Sequence, residues 1–364
     1  MKGKVAVFSA PGTELEIREY PLPEVGPEDI LVKIRRTNIC GSDLHMWRGH
    51  GPRLAPGLAR VLGHEMMGEV YRLGKHVQWD CLGQSLTEGD RIVYSYFVPC
   101  GACAVCLQGS PACPNRYRYW LGQSVDDPPH FHGAYGEYYY LHAGQTVCKV
   151  PAELSDALVS SVNCALCEAL YGLDQIGMRL GDTVVIQGAG GLGLYATALA
   201  KEMGAGQVIV LGRRPERLAL ARTFGADLTL SCQETSAEER RQYVFDHTRG
   251  QGADVVAEFV GSPHAVEEGA QLLRPGGRYL WVGNVTPGLL ASLDPGTVVR
   301  MAQVMKGVIA YAPWVLPRAL DFLVRRRQVY PFEQIISHTM PFPEINAAFA
   351  CASAGRALRV SLTL

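Results

Sequence analysis

TVVIQGAGGLGLYATALAKEMGAGQVIVLGRR, residues 183–214, decides the fold. An apolar run, Val184 to Ile186, leads into Gly188-Ala-Gly190-Gly191-Leu192-Gly193. An alanine-rich amphipathic segment follows and stops at Gly204. A second apolar run, Val208 to Leu211, then ends at Gly212-Arg213-Arg214. Strand, glycine turn, helix, strand is the context in which G-x-G-x-x-G signals dinucleotide binding. The first glycine permits a tight turn, the second lets backbone approach a pyrophosphate, and the third lets helix and strand pack closely. Free N–H groups at the helix start hold the phosphate charge.

The surrounding chain extends that unit. Apolar strand-like runs (Thr183–Gln187, Gln207–Leu211, Val255–Phe259, Tyr279–Val282) alternate with helical stretches (Leu192–Met203, Glu216–Phe224, Ala237–His247, Pro263–Leu272). This alternation predicts a doubly wound parallel α/β sheet of Rossmann type over residues 156–310. Residues 1–155 are different: short β-like runs broken by Gly and Pro predict a mostly β domain with long loops. The tail, 311–364, is too short for a domain and is expected to complete the first one.

A chain of 364 residues, 48% hydrophobic and 19% charged, has ample core for two domains. A formal net charge of −1 gives no electrostatic reason to expect a nucleic-acid or anionic-membrane partner. The apolar run Val5–Phe8 is too short for a signal-peptide core, and no apolar run reaches membrane-spanning length, so a cytoplasmic protein is expected. In that setting eleven clustered cysteines point to metal rather than to disulfides.

Cys100-Gly-Ala-Cys103-Ala-Val-Cys106, followed by Cys113, places four thiols within fourteen residues. Two-residue spacers let successive sulfurs face one centre, and four thiolates suit tetrahedral Zn²⁺ with no open position, hence a structural site. Disulfides or an iron–sulfur cluster are the alternatives. A second set is scattered: Cys40-Gly-Ser42-Asp43-Leu-His45, Gly63-His64-Glu65, then Cys164 and Cys167. Singly, these read as core thiols, a core histidine and a strand-end charge. Together they form a Cys/His/Cys set with a nearby carboxylate, which suits a three-ligand catalytic zinc with one open position. His130 and His132, in an unusual aromatic segment, read as two surface histidines of a loop.

In this order, Cys40-Gly-Ser-Asp, Gly63-His64-Glu65, the four-cysteine lobe and Gly188–Gly193 resemble the zinc-containing medium-chain alcohol and polyol dehydrogenases over essentially the whole length. The resemblance implies a GroES-like catalytic domain beside the Rossmann domain, with Cys40 and His64 as catalytic zinc ligands and Glu65 as an adjacent or exchangeable one. The third ligand falls about 24 residues before the glycine turn, which selects Cys164, leaving Cys167 as a packed thiol and Glu168 at a helix start. One departure is a gap from Cys106 to Cys113 that is one residue shorter than the family's. Zinc acidifies an alcohol oxygen, as it lowers bound water from 15.7 to about 7. Ser42 and then His45 form the expected proton relay, with Asp43 orienting His64 or capping the helix. Trp47, Leu54 and Tyr96 are candidate walls of the substrate pocket.

Gly212 occupies the place where an NAD site carries an acidic residue, and Arg213 and Arg214 follow it, so NADP(H) is expected over NAD(H). The function expected is a zinc-dependent oxidoreductase interconverting an alcohol and its ketone or aldehyde. A polyol or amino-alcohol dehydrogenase of a biosynthetic pathway is the alternative, and a non-catalytic NADP(H)-binding protein a remote one. The partner is a small-molecule substrate, and the family resemblance implies a homodimer or homotetramer, with an edge strand near Tyr279–Val282 able to pair across an interface.

Overall fold

Runs rich in Val, Ile, Tyr and Phe, punctuated by Gly and Pro, form the strands that open the chain. In this computed structural model, residues 1–50, 57–117, 119–283 and 287–364 are described, and Leu54 lies outside them. The first strands are β1 (Lys2–Phe8), β2 (Glu16–Pro21), β3 (Ile30–Asn38), β4 (Arg60–Val61), β5 (Glu65–Leu73), β6 (Arg91–Tyr94), β7 (Tyr138–Leu141) and β8 (Val147–Lys149). Thr183–Gln187 (β9), Gln207–Gly212 (β10), Leu228–Ser231 (β11), Ala253–Glu258 (β12), Leu273–Trp281 (β13) and Val304–Gly307 (β14) come next. The tail adds His338–Pro341 (β15) and Val360–Thr363 (β16).

Two compact units result. One comprises Met1–Cys164 with Ala312–Arg327 and Phe332–Leu364; the other comprises Ala165–Tyr311 with Gln328–Pro331. In the first, β2-β1-β4 form a small antiparallel sheet, and a second sheet runs β15-β16-β3-β5-β6-β8, with β7 also paired to β3. The tail completes this unit by direct pairing: Ser361 lies opposite Asn38, and Leu362 opposite Thr37. Its core is aromatic as well as aliphatic, with Tyr94, Phe131, Tyr135, Tyr139 and Phe349 fully buried. His132, expected at the surface, is buried among these groups at 1% exposure. Apolar neighbours Phe131, Ala134 and Tyr135 draw the segment inward, and the imidazole Nε2 contacts the Asp127 carbonyl at 3.2 Å.

In the second unit six strands run in the order β11-β10-β9-β12-β13-β14, every pair parallel. Counted along the chain that is 3-2-1-4-5-6, the doubly wound arrangement. Val185, Ile209, Leu211, Val256 and Tyr279 fill its core because strands covered on both faces are apolar throughout. Tyr279–Val282 is not an edge: β13 pairs with β12 on one side and β14 on the other, so among the described residues the edge on that side is Val304–Gly307. A four-residue strand, Val-Met-Lys-Gly, is too short a pattern to read from sequence. Pro275–Gly277 bulges out of β13, shifting its register against β12 between Ala253 and Val255.

The glycine turn is sterically determined. A Cβ on Gly193 would lie 1.8 Å from the Gly188 carbonyl oxygen, closer than any contact allows. A Cβ on Gly190 would meet nothing within 4 Å, which leaves its backbone open to a ligand. Gly193→Ala is therefore expected to push helix from strand at a cost of about 1–3 kcal/mol, with loss of nicotinamide nucleotide binding. Urea unfolding and a binding titration check this; wild-type values for both would refute the steric reading.

Candidate active site

Adjacent strand ends bring the scattered ligand candidates together. β3 ends at Asn38, opposite Glu65 at the start of β5, so the residues just beyond each strand, Cys40 and His64, become neighbours. Cys40 caps the helix Gly41–Trp47 in extended conformation. Gly63 makes the turn into His64 at φ +89, where an added Cβ would lie 3.0 Å from Ala134 and the Tyr135 ring. Cys164 comes from a π-helical turn, Val162–Leu166, a local irregularity that often marks sites. The ligand atoms of Cys40, His64, Glu65 and Cys164 all lie within 4.8 Å of one another, and all four residues are buried. Cys167 is not in this group; it is a fully buried thiol that opens the helix Cys167–Gln175, pushed up by burial, and Glu168 follows it in the first turn.

Asp43 organises the cluster. Its Oδ2 accepts the Cys40 N–H at 3.0 Å and the Tyr135 hydroxyl at 2.7 Å, while Oδ1 stands 3.3 Å from His64 Nδ1. Asp43 is not the helix N-cap, which is Cys40; it is the third helical residue, whose carboxylate reaches back to the Cys40 N–H while its other oxygen stands beside His64. With Nδ1 committed, His64 Nε2 is left for a ligand, and the Ser42 hydroxyl lies 3.5 Å from it. His45 follows Ser42 by three residues on the same helix, half-buried, with burial and the neighbouring Arg48 and His50 holding its pKa below the ordinary value. The Tyr96 ring lies 4.8 Å from the His64 ring. Trp47 is engaged differently: its indole N–H donates to the Thr13 carbonyl at 2.8 Å and its ring packs edge-on against Phe349.

Three supporting residues escaped sequence reasoning. Tyr135 is the first. Asn163 is the second: its amide donates to the His64 and Tyr94 carbonyls, each at 3.0 Å, and fixes the backbone beside the site. Arg359 is the third, a buried guanidinium that pairs with Glu65 from 294 positions away. A lone arginine inside the apolar tail Ala357–Leu364 was the available signal, since a buried charge requires a partner.

The charges inside this pocket are mutually dependent. A hydrogen bond from Cys164 drives the Cys40 thiol well below its usual value against the effect of burial, and His64 and Arg359 add to it. Burial opposes charge on His64, yet Asp43 and Cys40 hold its pKa well above normal. Burial pushes Glu65 up to about 7, with Arg359 pulling the other way. Soft thiolate and imidazole donors, fixed and dry, fit a zinc ion, which replaces protons at such groups.

The four-cysteine lobe fits zinc on metric grounds. A one-turn helix, Ala104–Leu107, capped by Cys103, and a left-handed Gly101 turn the sulfurs inward. Sulfur–sulfur distances are 3.5 Å (Cys103–Cys106 and Cys100–Cys113), 3.8 Å (Cys103–Cys113) and 3.9 Å (Cys100–Cys106). Four Zn–S bonds of about 2.3 Å in a tetrahedron separate sulfurs by roughly 3.8 Å. Disulfides, at about 2.05 Å, are excluded.

In the dinucleotide unit, Gly191, Leu192 and Gly193 form the first turn of the helix Gly191–Glu202 directly after β9. Gly212 ends β10, and a Cβ there would lie 2.8 Å from Leu218. Arg213 is exposed, and Arg214 sits 3.8 Å from Glu216 at the start of the next helix, with Arg217 adding a third guanidinium on its first turn. Glu258, also unread from sequence, is wholly buried at the end of β12, where its carboxylate accepts the N–H groups of Val260 and Gly261 and locks the loop whose Val260 and Phe259 lie against Gly188.

Two family models match the chain: the alcohol dehydrogenase GroES-like domain over residues 26–152 and the zinc-binding dehydrogenase over residues 191–325. An L-threonine 3-dehydrogenase of Streptomyces avermitilis is 31% identical, over 100% of this chain and 99% of that one. An alcohol dehydrogenase structure from Thermotoga maritima aligns with TM-score 0.93 and 34% identity, covering 100% of this chain and 99% of the other. A zinc-binding dehydrogenase from Sinorhizobium meliloti, solved bound to NADP, aligns with TM-score 0.85 and 26% identity over 100% of both chains.

Tyr135→Phe removes the hydroxyl that steadies Asp43 while keeping the ring. The expected outcome is a roughly 10- to 100-fold weaker hold on one zinc, measured by competition with a chelator, with folding intact. Unchanged zinc affinity would show that Asp43 needs no help in orienting His64.

Proposed function

The chain belongs to the zinc-containing medium-chain dehydrogenase family, and from that premise we propose how its residues divide the chemistry. The protein is a zinc-dependent oxidoreductase that interconverts an alcohol and its carbonyl compound with a nicotinamide cofactor. Cys40, His64 and Cys164 hold a catalytic zinc, with Glu65 kept beside it by Arg359. Cys100, Cys103, Cys106 and Cys113 hold a second, structural zinc. The observation that carries this reading is the buried cluster of two thiols and an imidazole with Asp43 behind it. When bound, zinc supplies a Lewis acid at the substrate oxygen and the nicotinamide supplies or accepts the hydride.

The side chains manage the proton. The Ser42 hydroxyl, beside His64 Nε2, takes the substrate hydroxyl proton and passes its own to His45. His45, whose pKa is lowered by burial and by Arg48 and His50, is neutral at pH 7 and so able to accept it. NADP(H) is the preferred cofactor: no acidic side chain ends β10, and Arg213 and Arg214 offer charge-assisted hydrogen bonds to a 2′-phosphate. A homodimer or homotetramer is the assembly we infer, supported by the open edge at β14 with half-exposed Val304 and, nearby in sequence, exposed Val299. Among the described residues no helix is long and apolar enough to cross a membrane, and eleven unbridged cysteines suit a reducing, cytoplasmic setting.

Metal analysis tests the zinc assignment: two zinc ions per chain are expected, with Cys40→Ala retaining one and losing turnover. Full activity in that variant would sink the proposal. Ser42→Ala is expected to lower kcat about 100-fold with both zincs retained. Replacing Arg213 and Arg214 by Ala should raise KM for NADPH about 10- to 100-fold and leave KM for NADH unchanged. Tighter binding of NADH than NADPH by the unaltered protein would overturn the cofactor reading.

A further inference from the structure

Cys81 and Cys148 belong to neither ligand group. Cys148 sits on β8 opposite Val93 of β6, its side chain wholly buried. The free edge of β8 is closed by the turn Asp80–Gln84, in which Cys81 donates its N–H to the Val147 carbonyl at 2.8 Å. The turn is held rigidly. Asp80 Oδ1 accepts N–H groups of Leu82 at 2.8 Å and Gln84 at 2.9 Å, and Oδ2 accepts that of Lys149 at 3.0 Å. This lattice fixes Cys81 against its neighbour on β8 while leaving it exposed to solvent. With Cys81 bonded to Val147 and Asp80 to Lys149, the turn sets Cys81 alongside Cys148, and this neighbouring thiol lowers the Cys81 pKa against burial and Asp80.

An accessible thiol with thiolate character beside a second, protected thiol is the arrangement of a peroxide-sensitive pair. We propose that Cys81 and Cys148 are a modification site, oxidised by hydroperoxides to an intramolecular disulfide. The Cys81 thiolate attacks one peroxide oxygen; the O–O bond breaks, the sulfur is oxidised to sulfenic acid, and the departing hydroxide takes up a proton as water. The Cys148 sulfur then attacks the sulfenic sulfur, forming S–S and breaking S–O, and its proton leaves with the hydroxyl as a second water. Two thiols and one hydrogen peroxide thus become one disulfide and two waters. Burial of Cys148 keeps it from reacting directly, so Cys81 is the residue first attacked.

The test treats the zinc-loaded protein with stoichiometric hydrogen peroxide, then alkylates it and maps peptides without reduction. The expected product links the Cys81 peptide to the Cys148 peptide, titrates with two fewer thiols, is reversed by dithiothreitol, and retains the zinc content of the untreated protein. Cys148→Ala should divert Cys81 to a dimedone-reactive sulfenic acid and onward to sulfinic acid. Should that variant fail to fold, exposed Cys81→Ser must abolish the cross-link and leave Cys148 reduced. Over-oxidation of Cys81 in the unaltered protein with Cys148 still alkylatable, or zinc release and lobe oxidation before any Cys81–Cys148 link, would overturn the proposal.

Discussion

One buried carboxylate holds the first unit's chemistry in place. Asp43 has no solvent exposure, so each of its lone pairs must be met from within the protein. The Cys40 N–H and the Tyr135 hydroxyl donate to Oδ2, and His64 Nδ1 approaches Oδ1 to 3.3 Å. Each partner comes from a different stretch of chain: the strand end after β3, the run before β7, and the turn before β5. Satisfying one charge therefore fixes the thiol, the imidazole and the wall behind them. His64 Nδ1 stands 3.3 Å from Asp43 Oδ1, and Nε2, on the other side of the ring, lies 3.5 Å from the Ser42 hydroxyl.

The same logic extends to Glu65 and Arg359. A carboxylate among thiolates would repel them, and burial alone drives it toward the protonated form. A guanidinium delivered by the tail offsets that charge, and the same tail pairs with β3. The tail thus contributes a counter-ion to the site as well as a strand to the sheet. Truncation near residue 355 would remove both at once.

In the second unit the constraint is steric rather than electrostatic. Gly188, Gly193 and Gly212 are places where any Cβ would strike backbone or a packed side chain, whereas Gly190 faces open space. Buried Glu258 then ties down the loop beside the turn through two backbone N–H groups. Arg213 and Arg214 stand just past the end of β10 in the same unit.

The residues that speak for themselves in sequence are those whose chemistry depends on close spacing. The glycine turn between two apolar runs, the CxxCxxC lobe and the alternation of strands and helices all express local rules, because a turn, a tetrahedral thiolate site and a buried parallel strand each constrain neighbouring positions. Cys40, Ser42, Asp43 and His64 were legible as candidates, since two short motifs carry them. Only tertiary structure decided which distant groups meet. Tyr135, Asn163 and Arg359 lie 92, 99 and 294 positions from the groups they support, and no local periodicity encodes such contacts. His132 was misplaced for the same reason: burial is a property of the packed unit, not of a polar residue in a loop-like stretch. The edge strand was misjudged because a four-residue strand is stabilised by its neighbour in the sheet rather than by its own pattern. Sequence determined the parts and their chemistry; pairing of strand ends, and the need to satisfy each buried charge, determined the site.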